Sequence, residues 1–494
     1  MNPIEFPDNQ AELTSPVAPM RVQPRRSKPP IRLMNQVFFA ATGCATLLAC
    51  AMVLPVNAAV SVNHDIAYYY GDGPGEGVSV SSDGKFMMVS SPVNISGETN
   101  YASSVPHVVH TPLAREPFKL FADVSLDGFG EVTDVGVMHG GPFGLAVVRA
   151  DALRPFNGML AITGNHILQT IPIPAAPDGM KISPDGHYAI VAVEKGGEIR
   201  IYDLTGGAGQ IQLSAIITKA ALEAYYVNVA NPTNAIEPEA VGISADSSFA
   251  LVTIQDSSAV ASLSLDAVTI AQGQGLTPEQ IGGLALKKVL FLPFGFIGRN
   301  GARFGVEPDG VAISPDGTFA MLAHEANNNA RHLQGVSVVD LRNGLANITA
   351  QSYSIFDIDP TLLANTGLAA CPVVAPGAPY PTDANKLPRL DPASVEIVVR
   401  GGQLVAAVVI ERYDPSPTQI GTTLPNETRG SVLFLDVAQA LNGTFNKIDR
   451  VSAGVSGSRL EVIDSAQGGR WIFVSISNGG GERGTVARFE LLAN

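Results

Sequence analysis

The stretch "EPDGVAISPDGTFAMLAHE", Glu307–Glu325, holds two short apolar runs around a Pro-Asp-Gly turn, with a carboxylate near each end. Turn residues between two such runs read as a β-hairpin. A near copy, "PDGMKISPDGHYAIVAVE", spans Pro177–Glu194, and a third, "PEAVGISADSSFALVTIQ", spans Pro238–Gln255. Working outward, the same hairpin starts at Gly77, Asp134, Gly179, Ala240, Gly310, Ser394 and Arg459. Those starts lie 45 to 84 residues apart, so the loops vary while the hairpin persists. Repetition of one supersecondary unit points to units that bury their faces on one another.

Each second strand is apolar without alternation, as in "YAIVAV" and "FALVTI", the pattern of a strand buried on both faces. A third strand ending in a turn follows most hairpins: "GEIRIYDL", "AVASLSLD", "GVSVVDL", "GSVLFLDV". Weaker fourth strands follow, such as "IQLSAII" and "KKVLFLPF". Four antiparallel strands repeated seven times predict an all-β fold, a seven-bladed β-propeller. The last unit ends in "GTVARFELL" and lacks a fourth strand, while "VSVNHDIAYYY", residues 60–70, precedes the first hairpin without a unit of its own. The N-terminal strand is therefore expected to complete the last blade in a 3+1 closure.

The hairpins and their Pro-Asp-Gly turns resemble the YVTN-type, lactonase-like seven-bladed propellers of exported bacterial proteins. Glu237–Asp266 and Glu307–Asn329 match best, and the resemblance covers roughly residues 60–494. It implies a fold more than a function, because propellers host unrelated activities.

Residues 1–58 read as an export signal with a long polar lead. Arg25, Arg26, Lys28 and Arg32 precede the uncharged run Val37–Ala59, and small residues at Val56–Ala58 offer a cleavage site. A start at Met20 instead of Met1 would give a more ordinary signal. An uncleaved anchor through residues 37–59 and lipidation at Cys50 are the alternatives. Residues 59–494 form the propeller, a monomer in the periplasm or beyond. With Cys44 and Cys50 in the signal, only Cys371 remains, so no internal disulfide forms. A net charge of −14 argues against nucleic acid as a partner. Short helical turns are expected in Thr218–Ala230 and Leu276–Lys288. Asp359–Ala393 is a long Pro-rich insertion, either a cap or partner-contact loop or simple decoration.

In a propeller the Pro-Asp-Gly turns lie on one face of the disc. Residues just before the first strand and just after the second lie on the other, around the mouth of the central channel. Asp178, Glu239 and Asp309 are thus expected near Glu194, Gln255 and Glu325, with Glu411 in the equivalent place in unit six. The functional reading is an oxygen-rich funnel. Crowded carboxylates need a cation or a proton, and Glu239, Asp309 and Glu325 are the ligands calcium would take. The plain alternative is that these side chains serve the repeat itself. "AHEANNNARH", Ala323–His332, is read as a polar loop in which His324 and Glu325 are general-base candidates, with Glu239 as a further catalytic carboxylate. Arg412, in the loop after Glu411, is a candidate to grip an anionic ligand.

No G-x-S-x-G elbow, Walker loop, H-E-x-x-H or paired-cysteine zinc pattern occurs. Two functions follow. The first is a binding or scaffold protein whose channel mouth takes a small ligand or a protein partner. The second is a hydrolase of a lactone or phosphoester using the carboxylate funnel, with calcium as its metal. A quinone-dependent dehydrogenase is a distant third, because docking motifs built on tryptophan are missing from a chain with one, Trp471.

Overall fold

The computed structural model describes residues 60–70, 77–81, 86–89, 91–94, 101–109, 119–125, 129–138, 143–150, 154–163, 166–226, 236–292, 296–297, 303–326, 333–363, 390–411, 430–452, 457–464, 470–476 and 485–493. The signal region, Arg412, Asn327–His332, Cys371 and most of the Asp359–Ala393 insertion lie outside them.

Antiparallel strands in chain order build one sheet after another. The sheet of the third unit is Met180–Ile182, Tyr188–Val193, Glu198–Asp203 and Gln212–Ile217. That of the fourth is Pro238–Ile243, Phe249–Ile254, Ala259–Ser264 and Leu286–Phe291. Units two, five and six follow the same order, opening with Glu131–Val137, Val306–Ile313 and Pro392–Arg400. Unit one departs from it: Tyr101–Val109 pairs with both Ser91–Asn94 and Lys119–Ser125, giving five strands. In the last sheet, Gly457–Asp464, Arg470–Ile476 and Thr485–Ala493 are joined by Val60–Tyr70, which pairs with Thr485–Ala493 from Val60↔Ala493 to Tyr70↔Thr485.

The core lies in layers between successive sheets. Tyr188–Val193 is buried along its whole length, as its unbroken apolar run requires. Its Val191 and Val193 pack on Leu145 and Val147 of unit two, while Ile190 and Ala192 pack on Ala250 and Val252 of unit four. Phe434 of unit six meets Phe489 of the last sheet edge to face, ring centres 6.4 Å apart. First strands also touch: Met180–Ile182 lies against Glu131–Val137 and Pro238–Ile243, and Val78–Val80 against Glu131–Val137 and Gly457–Asp464. Gly179 shows why the contact needs small residues, since a Cβ there would sit 1.9 Å from the Glu239 carbonyl oxygen. Four-stranded antiparallel sheets stacked face to face in this way form a multi-blade β-propeller.

The hairpin turns of units three, four and five are each tied by the serine before them. Ser183, Ser244 and Ser314 donate to Asp185, Asp246 and Asp316 at 2.6, 2.7 and 2.7 Å. The same hydroxyls accept the amides of Tyr188, Phe249 and Phe319 at 2.9, 3.1 and 3.1 Å. Ser-X-Asp, more than Pro-Asp-Gly, is the repeated device. Ser247 takes the left-handed turn position held elsewhere by Gly186 and Gly317 and accepts the Asp185 amide of the neighbouring turn at 3.1 Å.

Helices are few. The expected helical turns are α1 (Lys219–Glu223), capped by Thr218, and α3 (Pro278–Ala285), with a Thr277–Gln280 capping box. Between them lies α2 (Leu265–Ala271), capped by Ser264, which takes in the last two residues of the expected third strand, Leu265 and Asp266. No helix among the described residues is long and apolar enough to cross a membrane.

Candidate functional site

A β-bulge opens the first strand at the same repeat position. The register skips Thr133 in unit two and Asp309 in unit five, and it breaks across Glu239 in unit four. In unit three, Asp178 donates its amide to Ala192, whose own amide donates to Gly179, so two residues again oppose one. A bulge turns its extra residue out of the ladder, which sets Asp178, Glu239 and Asp309 at the strand entrance. The strand exits carry Arg149, Glu194, Gln255, Glu325 and Glu411 at the equivalent place.

Arg149 organises units two and three. Its guanidinium lies 3.2 Å from Glu131, 3.2 Å from Glu194 and 3.6 Å from Asp178. Burial would lower the guanidinium pKa, but the charges of Asp178, Glu131 and Glu194 outweigh it and hold the pKa above its ordinary value. Lys195 extends the network. It bonds Glu194 and reaches Glu237 of unit four at 3.0 Å, and the Glu194 hydrogen bond leads in raising its pKa. Beside them, burial and then the Glu237 charge hold the Asp256 carboxyl above its usual range. Five carboxyls here face two cations, and like charges crowded together disfavour the ionised form, the same direction as the Asp256 shift. Further round, Gln255 donates to Asp309 across units four and five at 2.8 Å.

Of the expected residues, Asp178 and Glu194 are thus joined through Arg149, and Gln255 and Asp309 bond directly. Glu239, Glu325 and Glu411 are half-buried at the strand ends of units four, five and six. Glu325 stands opposite Glu307 in the ladder, and the Glu411 amide donates to the Asp391 carbonyl at 2.9 Å. Among the described residues no three His, Cys, Asp or Glu side chains form a group able to hold a metal ion.

His324 requires a correction of place. Instead of a polar loop, it lies inside Phe319–Ala326 and is fully buried, with neither ring nitrogen hydrogen-bonded. Strand alternation sets it on the face of Ala320 and Leu322, which pack against Leu251 and Val260 of unit four. Burial pushes its pKa down to about 4, so it is neutral at neutral pH and has no solvent to exchange protons with.

Arg149 and Lys195 were missed as members of the site. The signal was present: Arg149 directly follows "FGLAVV", the position that Glu194 takes after "YAIVAV".

No family model matches the chain. No curated protein matches it by sequence. Among solved structures, hydrazine synthase of Kuenenia stuttgartiensis aligns at 14% identity with a TM-score of 0.50, over 86% of this chain and 96% of that one. A periplasmic gluconolactonase of Pseudomonas aeruginosa aligns at 12% identity and TM-score 0.47, over 77% and 86% of the two chains. A candidate 6-phosphogluconolactonase of Bacteroides uniformis gives the same identity, TM-score and coverage. At these identities the likeness concerns the fold alone.

Proposed function

We propose that this chain is an exported seven-bladed β-propeller, closed 3+1 by its N-terminal strand, that binds a small polar ligand or a protein partner at the channel mouth. The 3+1 reading is supported by the pairing of Val60–Tyr70 with the last strand. The binding reading rests on one observation: the Arg149–Glu194–Lys195–Glu237 network, in which three successive sheets line the strand ends with alternating charge. Such a surface offers donors and acceptors in fixed positions, the few placed polar groups that give a binding site its specificity. Export is supported by the signal-like residues 1–58.

One observation favours hydrolysis as a second reading. Burial and then the Glu237 charge hold the Asp256 carboxyl above its usual range, and the two side chains stand together as the paired carboxyls that acid–base hydrolysis uses. The experiment separates the two. Amino acids, sugar acids, lactones and phosphoesters are screened by thermal shift, and each hit is followed for turnover. Binding predicts a hit recovered chemically unchanged. A lactone or phosphoester that is consumed, at a rate lost in Asp256→Asn, would replace the binding reading with hydrolysis. No hit in any class would remove the small-ligand form of the proposal.

A further inference from the structure

Three residues beyond the bulge, each first strand has a central position: Gly136, Lys181, Gly242, Ala312 and Glu396 in units two to six, with Ser79 matching it in unit one and Glu461 in the last sheet. Most of these are small, and the reason is packing. A Cβ on Gly242 would meet the Val311 carbonyl at 2.9 Å, and one on Gly136 would meet Ile182 and Met180 at 2.9–3.1 Å. Ser79 uses its hydroxyl to accept the Val137 amide of the next sheet at 3.0 Å. Against that background Lys181, Glu396 and Glu461 are long and charged, and Lys181 pairs with Glu396, Nζ to Oε1, at 2.9 Å.

The pair is not a contact between neighbours. Met180–Ile182 lies against the first strands of units two and four, and Pro392–Arg400 against those of unit five and the last sheet. Their side chains meet although they lie 215 positions apart in the chain, and both are about a quarter to a third exposed, 31% and 23%. In a ring of sheets, side chains from non-adjacent members meet where the first strands converge, in the central channel.

We infer that Lys181 and Glu396 form a bolt across the channel that divides it into two blind cups. Lys181 follows Asp178 by three residues, so the bolt lies about 10 Å below the charged rim at roughly 3.3 Å per strand residue. A ligand entering at Arg149, Lys195 and Asp178 meets a closed floor, and the face carrying the Ser-X-Asp turns opens on a separate cup. This inference rests on the ring arrangement of the sheets but not on ligand binding at the rim.

The test reads stability alone, so failure of the binding proposal leaves it intact. Lys181→Met and Glu396→Ala, with Glu396→Gln as the milder variant, are each expected to lower the Tm of the purified protein. The charge swap, Lys181→Glu with Glu396→Lys, recovers most of the loss. Because the gap left by Glu396→Ala opens to the channel, sodium acetate raises the Tm of that variant saturably at constant ionic strength. The same titration leaves wild type and the Lys181→Met/Glu396→Ala double variant unmoved. A swap no more stable than the summed single variants would overturn the pairing. Acetate acting equally on all three proteins, or on none, would overturn its place in an open channel.

Discussion

Replacing His324 by Leu should make the protein less sensitive to acid, and the size of the effect follows from burial. In the folded chain the imidazole is fully buried, and its pKa falls from an ordinary 6.5 to about 4. Unfolding exposes it and restores the ordinary value. Between these limits the unfolded state binds a proton that the folded state does not, so stability falls as pH falls. The contribution is complete above pH 6.5 and is lost progressively down to about 4. At ~1.4 kcal/mol per unit this amounts to about 3 kcal/mol, and about 2 kcal/mol of it is gone by roughly pH 5. Leu fills a similar volume, carries no proton and removes two ring nitrogens that lack partners, so at neutral pH the variant should be at least as stable as wild type. The assay is urea unfolding of both proteins at intervals from about pH 7.5 to 4.5. The difference between the two curves isolates His324 from the carboxylates that titrate in the same range. Parallel curves would refute the reasoning and would place the imidazole in a solvated or hydrogen-bonded site.

Asp359 is 1% exposed and holds Lys447 at 2.8 Å and Arg450 at 3.6 Å. Asp359→Asn leaves two half-buried cations facing a neutral group, and chemical unfolding should show a loss of about 3 kcal/mol, the lower end for a broken buried pair. Gly179→Ala sets a Cβ against the Glu239 backbone, so a loss of about 2–3 kcal/mol is expected from overpacking; an unchanged midpoint would mean that the first strands of units three and four stand further apart. Ser314→Ala removes the hydroxyl that serves both Asp316 and the Phe319 amide. Its cost should be about 1–2 kcal/mol, readable as faster amide exchange at Phe319.

Much of the strand order was legible because it repeats. Val-x-Ile, Ser-Pro-Asp-Gly and an unbroken apolar run recur with the same spacing, and local chemistry settles each: a turn that closes on its serine and a strand buried on both sides. Unit one was less legible, because its added pairing joins strands through loops with no repeated pattern. At the strand ends, the positions could be read but not the partners. The reading followed the acidic copies Glu194, Glu325 and Glu411 and passed over Arg149 at the same repeat position, so the cation that Glu194 and Asp178 share was not foreseen. His324 was misplaced for a different reason: the strand Phe319–Ala326 runs three residues past the apolar stretch that ends at Ala323, and a histidine beside a glutamate reads as loop. Lys181 and Glu396 could not be paired in advance, since nothing along the chain brings together residues 215 apart.

The central claim is that the charged network at the strand ends recognises a ligand or partner. Isothermal titration calorimetry of a binder from the thermal-shift screen, compared between wild type and Lys195→Ala, tests it most directly. Lys195 is more than half exposed yet bonds both Glu194 and Glu237, so its loss should disturb recognition without unfolding the protein. The account predicts affinity at least ~10-fold weaker in the variant, equivalent to about 1.4 kcal/mol, with unchanged stability. Unchanged affinity would contradict it and move the binding surface away from these residues.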